Sequence, residues 1–209
     1  MMDALVVVAH DDDALLWMGG TLLRLNDWHW HVICMCNDNN SKRKNYFKRT
    51  CHELKARGDT LDFRDYQAAN SATQRNSISD MKQALMGITE GNEYDYVFTH
   101  SRDENGEYGH HANHEEVCTA ITQLVSGGKL VHFSYSPIYE LAGIGTLARR
   151  DADYYMQLRY RDLIQKAKLI SSHLEPIVAN LERDLGAPCP NPEAFEGDEL
   201  KLPPPFIGR

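Results

Sequence analysis

An apolar run, Ala4-Leu5-Val6-Val7-Val8-Ala9, stops abruptly at His10-Asp11-Asp12-Asp13. A continuous β-branched run of this length reads as a strand buried on both faces, which is the habit of a parallel sheet. The spacing then predicts a helix over about 13–25, with acids in its first turn where the helix dipole favours them. The pattern repeats along the chain. Strands are expected at His31–Cys36, Leu61–Phe63, Tyr94–Thr99 and Leu130–Tyr135. Helices are expected near Tyr46–Arg57, Ser79–Ile88 and Ala112–Val125, with a long amphipathic helix over Asp151–Ser172. Such alternation implies an α/β fold: a Rossmann-like, open, mostly parallel sheet of about five strands with helices on both faces.

The 209 residues, 42% apolar and 25% charged, suit one domain over 1–209 with a core that needs no staples. The segment 184–209 is rich in Pro and Gly, and Pro203-Pro204-Pro205 cannot continue a helix or central strand. An irregular C-terminal tail is expected there. A net charge of −8 argues against a nucleic-acid partner, because phosphate neutralisation needs a Lys/Arg surplus. No apolar run approaches the roughly 18–20 residues of a membrane span. The run at 4–9 is too short, and lacks the basic flank, for a secretory signal. Five cysteines form an odd set without a CxxC pair, so a reduced, cytoplasmic location is expected.

Ligands of open parallel sheets bind outside the carboxyl ends of the strands. Two polar clusters fall there: His10–Asp13 after the first strand, and the stretch from Thr99-His100 through Glu107-Tyr108 to His110-His111-Ala112-Asn113-His114 after the fourth. Three adjacent aspartates repel one another, and a divalent cation is a natural compensation. Imidazole with carboxylate suits Zn²⁺ or Fe²⁺ better than Mg²⁺. Taken alone, the first cluster reads equally well as an acidic helix start, and the second reads better as solvated loop histidines. Their meeting at one sheet edge favours a metal site.

These residues resemble a known family. His10-Asp11-Asp12-Asp13-Ala14-Leu15-Leu16-Trp17-Met18-Gly19-Gly20 is similar to the A-H-P-D-D-E-x-L-x-x-G-G motif of the LmbE-like, or PIG-L, N-acetylglucosaminyl de-N-acetylases. Thr99-His100, Gly106-Glu107-Tyr108 and His111-Ala112-Asn113-His114 resemble its second motif, T-H…G-E-Y…H-x-x-H. Asp11 stands where the motif has proline, and Ala14 where it has glutamate. The resemblance implies a zinc ion held by His10, Asp13 and His114. It further implies Asp12 as general base and His111, protonated, as the group facing the developing oxyanion, with His110 as a competitor for that role. Three protein ligands and a water are the pattern of catalytic zinc.

The implied reaction is hydrolysis of an N-acyl group from an amino sugar or glycoconjugate by a metal-activated water. A metal-dependent phosphoesterase and a catalytically weak sugar-binding member are the alternatives. A dinucleotide module is disfavoured, since three aspartates stand where a pyrophosphate would need glycines. Five basic residues lie within positions 42–49, and Arg49 is the candidate substrate contact, with Glu107 and Tyr108 as sugar hydrogen-bonders. Oligomeric state stays open, a homo-oligomer included.

Overall fold

The computed structural model describes residues 1–36, 40–65, 75–103, 106–107, 111–125, 128–140, 143–173, 192–197 and 201–208. Strand β1 (Asp3–Val8) lies at the centre of the sheet, between β2 (His29–Cys36) and β4 (Tyr96–Thr99), parallel to both. Its period of two sends Ala4, Val6 and Val8 into one core and Leu5 and Val7 into the other, so both faces are buried as the run predicts. Outside β2 lies β3 (Arg57–Phe63), and outside β4 lies β5 (Leu130–Phe133), both parallel. Helices α1 (Asp13–Arg24), α2 (Ser41–Glu53), α3 (Ile78–Thr89) and α4 (Ala112–Leu124) connect or follow these strands. Helix α2 starts earlier than its apolar spacing suggests, because the Asn40 side chain accepts from the N–H groups of Lys42 and Arg43.

Beyond β5 the structure departs from expectation. Among the described residues the main sheet has eight strands, not about five. The extra ones are antiparallel: β8 (Tyr154–Met156), β9 (Glu193–Glu196) and β10 (Ile207–Gly208), in the order β10-β8-β9-β5. Strand β8 occupies the start of the expected long helix, which shrinks to α5 (Tyr160–His173). Tyr154 and Tyr155 favour a pleated surface, and pairing to β9 overrides the helical spacing. Two pieces of the tail, β9 and β10, belong to the sheet. A hairpin, β6 (Tyr135–Glu140) and β7 (Gly143–Ala148), follows β5 as a separate two-stranded sheet. No described helix is long and apolar enough to cross a membrane.

Helix α1 is broken at Met18, whose backbone leaves the helical region (φ −142°, ψ 16°). Four backbone groups that would pair within the helix therefore need other partners. The N–H groups of Gly20 and Thr21 donate to the Glu193 carboxylate at 2.8 and 2.7 Å. The Leu16 carbonyl accepts from Lys166 Nζ at 2.6 Å, and the Trp17 carbonyl from the Tyr135 hydroxyl. Lys166 and Glu193 also pair directly at 2.6 Å, both fully buried. One ion pair, from α5 and β9, thus satisfies most of the break. Gly20 lets Leu158 approach, since a Cβ there would sit 2.4 Å from its methyl groups.

Removing one member of a buried pair typically costs about 3–5 kcal/mol, because the other is left uncompensated. Lys166→Met or Glu193→Gln is expected to lower stability by that order in urea unfolding. A double variant should cost less than the sum of the two.

Candidate metal centre

The end of β1 turns inward at His10, and Asp12 caps α1 without a side-chain bond to it. Asp13, first residue of the helix, is buried, and its Oδ2 is a focal point. It accepts from the His10 backbone N–H at 2.7 Å and lies 3.3 Å from His10 Nδ1, 3.4 Å from His100 Nε2 and 3.5 Å from His114 Nε2. The other carboxylate oxygen, Oδ1, accepts from Trp17 Nε1–H at 3.3 Å. His114 comes from the first turn of α4, and His111 is that helix's N-cap.

His10 Nδ1 and His114 Nε2 are 3.2 Å apart. The three donor atoms of His10, Asp13 and His114 are therefore separated by 3.2–3.5 Å. Ligands at zinc bond lengths of 2.0–2.1 Å in a tetrahedron stand about 3.3 Å apart. The set fits a zinc-sized cation. Both imidazoles also have a carboxylate behind them: Asp65 Oδ1 is 3.2 Å from His10 Nε2, and Glu107 Oε2 is 3.5 Å from His114 Nδ1. Carboxylates in that position orient metal-binding histidines and raise their basicity. Two groupings of donors, His10/His111/His114 and Asp13/His100/His114, share His114 and form one centre among the described residues.

The electrostatics reflect this crowding. Burial opposes a charge on His10, but Asp13 and Asp65 outweigh it and raise its pKa to about 10. Burial and the charges of Asp13 and Asp11 raise Asp12 to about 7. Asp13 goes the other way: burial is outweighed by the three histidines, which hold it well below the usual carboxylate range.

Residues 5–125 match the family model described as PIG-L, GlcNAc-PI de-N-acetylase. The chain belongs to the PIG-L family. A zinc-inhibited form of teicoplanin deacetylase has a similar structure, with a TM-score of 0.66 at 12% identity over 92% of this chain and 96% of that one. N,N'-diacetylchitobiose deacetylase from Pyrococcus horikoshii gives 0.58 at 17%, over 93% and 83%. GalB, a 4-carboxy-2-hydroxymuconate hydratase from Pseudomonas putida, gives 0.62 at 11%, over 97% and 98%. At such identities the likeness is one of fold. No curated protein matches the sequence.

Within this PIG-L chain, the structure brings together His10, Asp13, His114 and His111 from the sequence-derived set. The His111 ring stacks on His114 at 4.6 Å and meets His10 edge-on at 4.8 Å. Burial, with His114 and His10 close by, lowers its pKa to about 3, a direction opposed to the expected protonation. Glu107 is also corrected. It is buried, and its carboxylate is taken up by the Ser101 N–H at 2.8 Å, by His100 and by His114, so it faces inward rather than toward a sugar. Arg49 is exposed, beside the Tyr46 ring, and is not part of the centre. The arginine that α2 delivers is Arg43, one helical turn and a half earlier, bound to Asp11 and Asp65. Tyr108 and His110 lie outside the described residues.

Sequence reasoning missed Asp65 and the inward role of Glu107. Asp65 follows β3 in a polar stretch without motif character; its one signal was its place at the carboxyl end of a parallel strand. His100 is buried, with the Ala9 N–H 2.9 Å from its Nε2 and Glu107 facing its Nδ1. Trp17 is a buried packing residue that also holds Asp13.

A ligand that binds only the folded state stabilises it by about 2.7 kcal/mol at a hundredfold excess over Kd. Zn²⁺ at that excess is expected to raise the melting temperature of the metal-stripped protein by several degrees. His114→Ala should abolish this rise while still melting cooperatively. An equal rise in both proteins would refute a centre built on His114.

Proposed function

We propose that the chain is a zinc-dependent N-deacetylase that hydrolyses the N-acetyl group of an amino sugar, such as an N-acetylglucosamine derivative, with Fe²⁺ as the alternative metal. The observation that carries this reading is the convergence of His10, Asp13 and His114 at tetrahedral spacing, with Asp12 and His111 beside them. Family membership supports it, as do the two deacetylases of like fold. A cation on the three donors would polarise the acyl carbonyl and lower the pKa of a water toward about 7.

The chain's own residues supply the rest. Asp12 takes the proton of the attacking water as the new C–O bond forms. It then returns that proton to the nitrogen as the C–N bond breaks, releasing the free amine and acetate. A pKa raised toward neutrality suits a group that must both accept and donate a proton. His111 donates a neutral N–H to the carbonyl oxygen as negative charge develops there, a form of stabilisation that is often the largest single term. Glu107 and His100 hold His114, and Trp17 holds Asp13.

The phosphoesterase alternative would call for two-cation chemistry with about twice the ligands. The one centre found among the described residues, with both donor groupings sharing His114, supports the deacetylase instead. A cytoplasmic site of action is in keeping with four buried, unpaired cysteines among the described residues.

The test is amine release from a panel of N-acetylated amino sugars by Zn²⁺-loaded protein, set against phosphate release from phosphate esters. Phosphate release without amine would reverse the assignment. Asp12→Asn keeps size but cannot take the water proton, so kcat should fall about 10²–10⁴-fold with zinc content unchanged. Loss of zinc in Asp12→Asn, with retention in Asp13→Asn, would exchange the two roles.

A further inference from the structure

Four residues form a closed ring beside the centre. His10 and Asp11 are chain neighbours. Asp11 Oδ1 accepts from Arg43 Nε at 2.7 Å and also pairs with Nη2; Arg43 Nη1 donates to Asp65 Oδ2 at 2.8 Å; Asp65 Oδ1 faces His10 Nε2 at 3.2 Å. We infer that Asp65, clamped by Arg43 against Asp11, is the positioning residue that fixes the ring orientation and tautomer of His10 for cation binding. This rests on the cation centre proposed above.

His10 turns Nδ1 toward Asp13 and His114. With a cation on Nδ1 the one ring proton would sit on Nε2, and Asp65 Oδ1 is the acceptor in reach. A carboxylate on a flexible side chain could swing away. The planar guanidinium prevents this, because its Nε/Nη2 edge is spent on Asp11 and its Nη1 on Asp65. Asp11 is buried, so the anchor is fixed. This gives a chemical role to the residue that stands where the family motif has proline: a proline side chain could not accept from Arg43.

Electrostatics alone gives the opposite sign for Arg43. Removing a cation beside a dication site should tighten binding. If Arg43 acts by holding Asp65, removing it should loosen binding, and only while Asp65 is present. Partners behind a metal ligand typically contribute 10–100-fold to metal affinity.

The experiment is Zn²⁺ affinity by chelator competition on metal-stripped wild type, Asp65→Ala, Arg43→Met and the double variant, with Asp65→Asn and Arg43→Lys as milder substitutions should either of the first two fail to fold. Asp65→Ala is expected to weaken Zn²⁺ about 10–100-fold, Arg43→Met about tenfold, and Arg43→Met in the Asp65→Ala background not at all. Tighter binding by Arg43→Met, unchanged binding by Asp65→Ala, or simple additivity would overturn the inference while leaving the cation centre intact. Equal Zn²⁺ affinity in wild type and His114→Ala would overturn both.

Discussion

The buried Lys166–Glu193 pair is the interaction on which the rest of the structure hangs. A helix broken at Met18 would leave unpaired N–H and carbonyl groups in the core, each costing about 1–3 kcal/mol. Glu193 takes the two donors, and Lys166 and Tyr135 take the two acceptors. The break divides α1 into two parts. Its first part, Asp13–Trp17, carries the Asp13 carboxylate of the candidate centre and the indole that holds it. The site is thus fastened from behind by α5, β6 and β9, elements far along the chain.

The acidic end of β1 would be untenable without partners. Asp11 has Arg43, and Asp13 has three histidines and a tryptophan. Asp12 is left between them with a raised pKa, caused by burial first and its neighbours' charges second. In the proposed reaction the three consecutive aspartates divide the labour by their surroundings: Asp11 anchors Arg43, Asp12 exchanges the proton and Asp13 faces the cation. The same crowding lowers the pKa of His111, burial first and its neighbouring histidines second.

The fold alone would not choose the chemistry. A hydratase and two deacetylases share it at 11–17% identity, and a fold in general hosts many reactions. The choice rests on the donor set and on what stands behind it. Ala14, in place of the motif's glutamate, is buried in the apolar core with Leu15 and Leu16. Asp11, in place of its proline, brings Arg43 to the rim of the centre.

By itself the sequence determined the parallel half of the sheet. Runs such as Ala4–Ala9 and His31–Cys36 can be buried on both faces in little else, and local periodicity needs no distant partner to be read. It also placed His10, Asp13, His111 and His114 at one edge, because parallel strands bring their carboxyl ends together. Only the tertiary structure decided what depends on long-range contact. Strand β8 is a strand because β9 pairs with it, and β9 lies in a tail whose composition reads as irregular. Arg43 rather than Arg49 reaches the centre, because Asn40 starts α2 early and Asp11 lies within reach. Asp65 and the inward turn of Glu107 have no motif, since a carboxylate behind a histidine is defined by where two side chains meet in space, not by spacing along the chain.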